Sequence, residues 1–595
     1  MNTSYTSDHN TLNDSSARAF KLGDFCVDEY EPIKVIVIGA GFSGILAGIR
    51  FPQKIPNVEL TIYEKGARVG GTWYHNNYPG VACDNASHSY QFSFEEKSDW
   101  TSFYACGAEI HQHLEEVMEK YKLMRYIKLQ HEVVHAQYDV HTGQWHVRIR
   151  RPNPETGALE EIEDSAQVLV GAFGVLSRWK WPDIQGLHDF KGELLHSAGF
   201  KPYPKTWQEI AELWADKKVG VIGVGSSAIQ IVAALQSKVG RLVNYARGQT
   251  WVAPPFAWDT LVKFIGRESA ADGPSEMYFT PEEIERFKND PKFARDFRCT
   301  VEGDFNSVHA CTIRGTSQSL EFRKLLLENM KRKLAKKPWI AEHLIPNYSV
   351  ICRRLTPGPG YLEALCADNA DFIPSSIQKI TDKGIETVDG GFQELDVIIC
   401  ATGYDTSFQL PFPIIGKDGV DINEKWKPHP TSYLSVAVDG FPNMFMSLGP
   451  NSAVATGTLI PIIEYQIGYA IQATAKLQRE RLKSIEVKAE AVQDFDDYIE
   501  AYFPGTVFAE KCRSWYKVGK EEGRVVGLWP GSMLHCMKAL IYPRWEDYNY
   551  ERADPVQNRL YWLGDGQTYN EKTLTGDRAW YLRPPYLDVP PIPDA

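Results

Sequence analysis

The apolar positions of the chain first gather in a continuous run. Lys34-Val-Ile-Val-Ile-Gly39 is β-branched without polar alternation, which is the pattern of a parallel strand covered on both faces. It runs into Ala40-Gly-Phe-Ser-Gly-Ile-Leu-Ala-Gly-Ile-Arg50, a glycine turn and then an apolar helix. The same grammar returns where Lys217-Lys-Val-Gly-Val-Ile222 precedes Gly223-Val-Gly-Ser-Ser-Ala-Ile-Gln-Ile-Val-Ala-Ala234. Two strand–turn–helix units predict an α/β fold with two Rossmann-like dinucleotide-binding domains. Between 255 and 350 the strand patterns stop. Thr280-Pro281-Glu282-Glu283 has the cap, first-turn proline and first-turn acids of a helix start. Phe322, Leu326, Met330 and Leu334 recur every fourth position, on one helix face. The expected organisation is an N-terminal arm over 1–32, a first nucleotide domain over 33–176 and 397–595, a second over 177–254 and 351–396, and a helical insertion in the second over 255–350.

Composition narrows the classes. Among 595 residues, 64 are Lys or Arg and 76 are Asp or Glu, a net charge of −12 that argues against a nucleic-acid partner. The apolar stretch Leu459–Leu477 is interrupted by Glu464, Gln466 and Gln472, so it reads as a core helix and no membrane association is expected. Met1 to Asp14 is polar and lacks the basic start and apolar core of a signal peptide, which points to the cytoplasm. None of the 10 cysteines forms a C-x-x-C or C-x4-C pair, and they are expected to be reduced, individually placed thiols. His111-Gln-His113 has no third ligand nearby, so no metal is expected. The aromatic share, 12%, suits large cores and flat apolar pockets for planar ligands.

Chemistry enters at the glycine turns. In Gly39-x-Gly41-x-x-Gly44 the glycines permit a tight turn and close approach of a pyrophosphate to backbone N–H groups. Glu64 ends the following strand pattern, where an acid accepts hydrogen bonds from a ribose diol. The second set is Gly223-x-Gly225-x-x-Ala228, with Ser226 and Ser227 suited to phosphate. Its next strand pattern ends in Arg247 instead of an acid, and a guanidinium binds a 2′-phosphate, so NADPH is preferred to NADH. Two such domains suggest a flavin held by the first and a nicotinamide visiting the second. Disulfide reductases, simple dehydrogenases and oxygen-activating monooxygenases then compete. The reductases need a redox cysteine pair, and without one that class drops out.

Gly70-Gly71-Thr-Trp73 with Tyr78-Pro79-Gly80 and Asp84 resembles the type I Baeyer–Villiger monooxygenases, whose pattern is G-G-x-W-x4-Y-P-G-x3-D. A second family pattern, F-x-G-x3-H-x3-W, is matched at Phe190, Gly192 and His196 and departs at Phe200. Cys352-Arg353-Arg354 is similar to the segment with the active-site arginine, Asp396–Tyr404 to a linking A-T-G turn, and Trp515 to a mobile loop over bound nicotinamide. Trp529-Pro-Gly-Ser532 and Pro543–Asp547 are similar to fungal members acting on cyclic or polycyclic ketones. The resemblance runs from 33 to 550. It implies FAD and NADPH as cofactors. The implied cofactor-binding residues are Gly39, Gly41, Phe42, Ser43, Gly44, Glu64, Gly71, Thr72, Trp73, Tyr78, Asp84, Tyr90, Val133, Gly223, Gly225, Ser226, Ser227, Ala228, Arg247, Arg353, His196 and Trp515. The implied catalytic residues are Arg354, stabilising a flavin peroxide, and Asp84, holding Arg354. The implied reaction inserts one oxygen atom of dioxygen beside a ketone carbonyl. The expected partners are that small ketone and dioxygen, and the expected state is a monomer or weak homo-oligomer. Phe200 leaves open an N/S-oxygenating flavin monooxygenase, which the Asp84 and Arg354 pair disfavours. A non-catalytic flavin redox sensor is the other alternative, opposed by intact candidate groups for each catalytic step.

Overall fold

The computed structural model describes residues 20–201, 205–267, 277–553 and 558–587; residues 1–19 of the expected arm lie outside the described residues. Strand β1 (Ile33–Ile38) is apolar and buried on both faces, and it ends at the first glycine turn. Helix α1 (Phe42–Lys54) follows, then β2 (Val58–Tyr63), parallel to β1 with Ile33 beside Val58. The helix lies directly on the turn, because a Cβ at Gly44 would collide with the carbonyl oxygen of Gly39. Helices α2 (Thr72–His75) and α3 (Gly107–Lys120) and the short β3 (Ile127–Lys128) come next. A meander of β4 (Glu132–Asp139), β5 (Gln144–Pro152) and β6 (Leu159–Ala166) alternates apolar and polar positions, as a sheet with one solvated face does, before the buried β7 (Val168–Gly171). The first parallel sheet has the order Met444–Met446, β7, β1, β2, β3.

The second parallel sheet is built from β8 (Glu193–His196), β9 (Lys218–Ile222) and β10 (Arg241–Tyr245), with helix α4 (Trp207–Glu212) before β9 and α5 (Ser226–Leu235) after it. Its order is Ala370–Ile373, β10, β9, Val397–Cys400, β8. The boundary expected at 396/397 is therefore corrected. Val397–Cys400 is an interior strand of the second sheet, with Val397 beside Val219 and Cys400 beside both Ile222 and His196. Four buried apolar residues suit the middle of either sheet, so their character does not say which one they join.

Among the described residues, five helices fill the insertion: α6 (Trp258–Ile265), α7 (Pro281–Asn289), α8 (Pro291–Ser307), α9 (Ser317–Lys333) and α10 (Trp339–Leu344). Thr280 caps α7 and forms a reciprocal capping box with Glu283. Leu326, Met330 and Leu334 are buried, and Phe322 packs half-buried against the same core. One hydrophobic cluster spans Val35 and Val37 of β1, Val219 and Val221 of β9, and Phe287, Phe297 and Leu326 of the insertion. Helix Ile460–Arg479 packs on α1, and among the described residues no helix is long and apolar enough to cross a membrane. The cysteine expectation is also corrected. Cys352 and Cys512 form a disulfide, brought together by folding from positions 160 residues apart.

Candidate active site

Both glycine turns present free backbone donors. Helix α1 starts behind Gly41 and α5 behind Gly225, and neither has a side-chain cap. Their first N–H groups are left for an anion, and the helix dipole favours one. Gly41 faces Gly71 so closely that a Cβ at Gly71 would lie 3.0 Å from the Cα of Gly41, while one at Gly225 would meet nothing within 4 Å. Gly223 has φ +133, open to glycine alone, and a side chain there would strike the carbonyl of Ala401. Nearby, Trp73 Nε1 is buried without a hydrogen-bond partner. Uncapped helix ends at both turns, with a side-chain-free cradle between Gly41 and Gly71 at the first, fit dinucleotides.

Around the first turn, Phe42 and Trp73 meet Tyr90 edge-on, with ring centroids 5.3 and 5.5 Å away. Ser43 Oγ is 2.8 Å from Ser447 Oγ, and Thr72 is exposed at the start of α2. Glu64 is buried and accepts from the backbone N–H groups of Ala40 (2.8 Å) and Gly66 (2.7 Å), bracing the turn. Val133 lies in a separate hydrophobic cluster with Tyr63 and Trp145, apart from Phe42, Trp73 and Tyr78. At the second turn Ser226 Oγ is 2.6 Å from Thr356 Oγ1, and Ala228 is buried. Tyr78 donates to Gln230 Oε1 (2.9 Å) and Gln230 Nε2 donates to the Ala82 carbonyl (3.0 Å), which fastens the Tyr-Pro-Gly segment to α5. Ser227 adjoins Tyr78. Arg247 is exposed beyond β10, in no ion pair with a described residue. Arg353 donates to the carbonyl of Gln249 (3.2 Å). His196 stacks on Trp179 at 4.2 Å, with Nε2 3.2 Å from Thr402 Oγ1, and burial lowers its pKa to about 4. Phe200, at the position where the family pattern has tryptophan, is buried against Trp214.

The two halves meet in an ion pair. Arg354 Nε donates to Asp84 Oδ2 at 2.9 Å and Nη2 to Oδ1 at 2.6 Å, a bidentate fork. The side chains are 28% and 22% exposed. Burial opposes the guanidinium charge, but the attraction of Asp84 and its hydrogen bonds outweigh that and hold the pKa above the ordinary arginine value. Tyr516, Cys83 and Tyr90 lie in the field of this pair. Burial pushes the Tyr516 phenol up to about 12, against the pull of Arg354. Trp515 is half-buried, tilted on Tyr516 at 4.7 Å and backed by Gly527. Among the described residues no group of three or more His, Cys, Asp or Glu could hold a metal ion, and His111 Nε2 is 2.9 Å from the carbonyl oxygen of Val69.

Residues 32–260 match the flavin-binding monooxygenase-like family. An FAD-binding monooxygenase of Aspergillus terreus, tazF, is 37% identical over 554 residues, covering 92% of this chain and 94% of that protein. The chain belongs to the flavin-binding monooxygenase family. A Baeyer–Villiger monooxygenase of Pseudomonas aeruginosa is 32% identical to this monooxygenase over 503 residues, covering 84% of the chain and 88% of the relative. The crystal structure of cyclohexanone monooxygenase from Rhodococcus sp. Phi1 bound to NADP+ superposes with TM-score 0.72 at 26% identity, covering 88% of this monooxygenase and all of that chain.

The monooxygenase also brings in residues that sequence reasoning passes over. Tyr516 sits beside Arg354 and Asp84, and its only signal is adjacency to Trp515. Tyr104 accepts from the backbone N–H of Phe256 at 2.7 Å, joining the first half to the start of the insertion, and nothing in its local sequence marks it.

Proposed function

We propose that this monooxygenase uses NADPH and dioxygen to insert one oxygen atom beside a ketone carbonyl, giving an ester or lactone. The observation that carries the reading is the bidentate Arg354–Asp84 pair. FAD in the first half supplies activation of dioxygen, and NADPH in the second supplies the electrons. Arg354 is held on Asp84 through Nε and Nη2 and also adjoins the Tyr516 hydroxyl, and its fixed charge would stabilise an oxyanion forming on the substrate. Asp84 fixes the direction of that cation, so the site does not have to reorganise as charge develops. Residues around the first turn would bind FAD: Gly39, Gly41, Gly44, Glu64, Gly71, Trp73 and Tyr90. The second turn, with Ser226, Ser227, Arg247 and Arg353, would bind the nicotinamide nucleotide, and Trp515 would cover it. Relatives named Baeyer–Villiger monooxygenase and cyclohexanone monooxygenase support the ketone reading. We further place the enzyme in the cytoplasm, as a monomer or weak homo-oligomer without nucleic-acid or membrane partners.

The test is a panel of linear, monocyclic and fused-ring ketones plus a sulfide, scored by oxygenated product and not by NADPH loss. Esters or lactones from at least one ketone are expected. Sulfoxide from the sulfide with no ester from any ketone would transfer the enzyme to N/S oxygenation.

A further inference from the structure

The arginine segment and the Trp515 loop are joined covalently. Cys352 directly precedes Arg353 and Arg354, Cys512 opens the loop that bears Trp515, and their Cα atoms lie 6.4 Å apart across the disulfide. A second tie links the same segments: Glu510 accepts from the backbone N–H and the hydroxyl of Ser349, both at 2.7 Å. Inside the loop the buried Lys517 Nζ donates to the carbonyls of Glu510 and Glu521, both at 2.6 Å, and lies 3.9 Å from Cys512 Sγ. Ile351, the residue before Cys352, has φ 71, a left-handed conformation that a β-branched side chain rarely adopts. The segment is thus held by its ties against its own backbone preference. Both cysteines are buried, so the bond is reached only when the loop opens.

We propose that Cys352–Cys512 is a redox latch: the disulfide clamps the Trp515 loop onto the arginine segment, and reduction by a dithiol releases it. The inference rests on the proposed role of Trp515 as the cover over bound nicotinamide. A partial opening, within the reach the intact cross-link allows, breaks the Ser349–Glu510 hydrogen bonds and exposes the sulfurs. A thiolate of the dithiol attacks Cys352 Sγ, the S–S bond breaks, and its electron pair leaves on Cys512 Sγ beside the Lys517 ammonium. The second thiol of the reagent then displaces Cys352 from the mixed disulfide. The dithiol ends as a disulfide, and the cysteine pair has gained two electrons and two protons.

The test compares the full-length enzyme purified without reductant with the same protein after dithiothreitol. Alkylation of the denatured, oxidised protein should label eight cysteines, against all 10 after reduction. Peptide mass analysis should find Cys352 linked to Cys512. Limited trypsin digestion after Lys511, Arg513 and Lys520 should run roughly tenfold faster in the reduced enzyme, as expected when a cross-link no longer opposes local opening. Cys352→Ser should digest at the reduced rate under both conditions, and Cys106→Ser should behave as wild type. No linked peptide in the oxidised protein overturns the proposal. A linked peptide with a digestion rate indifferent to reduction also overturns it, because the bond would then be a static brace. These readouts require no turnover, so they stand apart from the ketone reaction. A redox-dependent loop that NADP+ does not protect from trypsin would instead count against Trp515 as the nicotinamide cover and leave the latch intact.

Discussion

The two glycine turns share a backbone and differ in the charged residue beyond the next strand. After the first, Glu64 is buried and pinned by the amides of Ala40 and Gly66, so its carboxylate belongs to the turn itself. After the second, Arg247 stands exposed and in no ion pair with a described residue. A pinned acid in a closed surround suits a nucleotide that stays. An open cation suits one that arrives by diffusion, engages through its phosphate and leaves. On the proposed function, this difference lets one strand–turn–helix unit hold a resident cofactor at the first turn and a visiting one at the second.

The contrast breaks most sharply at the junction of the halves. Arg354→Ala should lower ester formation by about 10²–10³-fold, the usual cost of removing a preorganised charge stabiliser. The flavin absorbance of the purified variant should stay at wild-type level, since Arg354 is proposed to act on the reacting groups and not to hold FAD. The visiting side comes next. Arg247→Ala should raise the KM for NADPH by roughly 10–100-fold, the loss of a charge-assisted contact, and leave that for NADH little changed. Steady-state kinetics with both nucleotides decides this, and an unchanged NADPH preference would remove Arg247 from the phosphate site. On the resident side, Glu64→Ala leaves two turn amides without an acceptor, and chemical denaturation should report a loss of about 1–3 kcal/mol together with weaker FAD retention.

The last effect is acid sensitivity, and it falls more heavily on the first half. Burial, aided by the Arg298 cation, lowers His88 to about 3, and burial with Lys97 lowers His113 to about 4. His196, in the second half, is lowered to about 4 by burial alone. In the unfolded chain all three take protons near 6.5, so between that pH and their folded values the unfolded state binds more protons. Their contribution to stability is complete above 6.5 and is lost as the pH falls through about 4 for His113 and His196 and about 3 for His88. Thermal unfolding should therefore give a lower Tm near about pH 5 than near about pH 7. His88→Gln, which cannot titrate, should flatten that slope.

Locality separates the legible parts of the molecule from the rest. A buried parallel strand, a glycine turn and an apolar helix are written in consecutive residues, so both nucleotide units and the α/β class can be read directly. The Thr280 cap and the face of Leu326 and Met330 are local in the same way. Val397–Cys400 is assigned to the wrong sheet from its sequence because sheet membership depends on long-range pairing with β8 and β9. The cysteine pair is hidden because its members lie 160 residues apart and match no spacing rule. Tyr516 gains its place beside Arg354 only when its loop folds onto the arginine segment. Arg354 and Asp84 are put forward by family likeness, since spacing alone relates nothing across 270 residues.

The proposed oxygen insertion is tested most directly by turnover of a ketone with the purified enzyme, NADPH and isotopically labelled dioxygen, followed by mass analysis of the product. The expected product is an ester or lactone in which one oxygen carries the label and the carbonyl oxygen does not, formed by wild type and nearly absent with Arg354→Ala. An unlabelled product, or labelled ester formed by Arg354→Ala at the wild-type rate, would contradict oxygen insertion governed by Arg354.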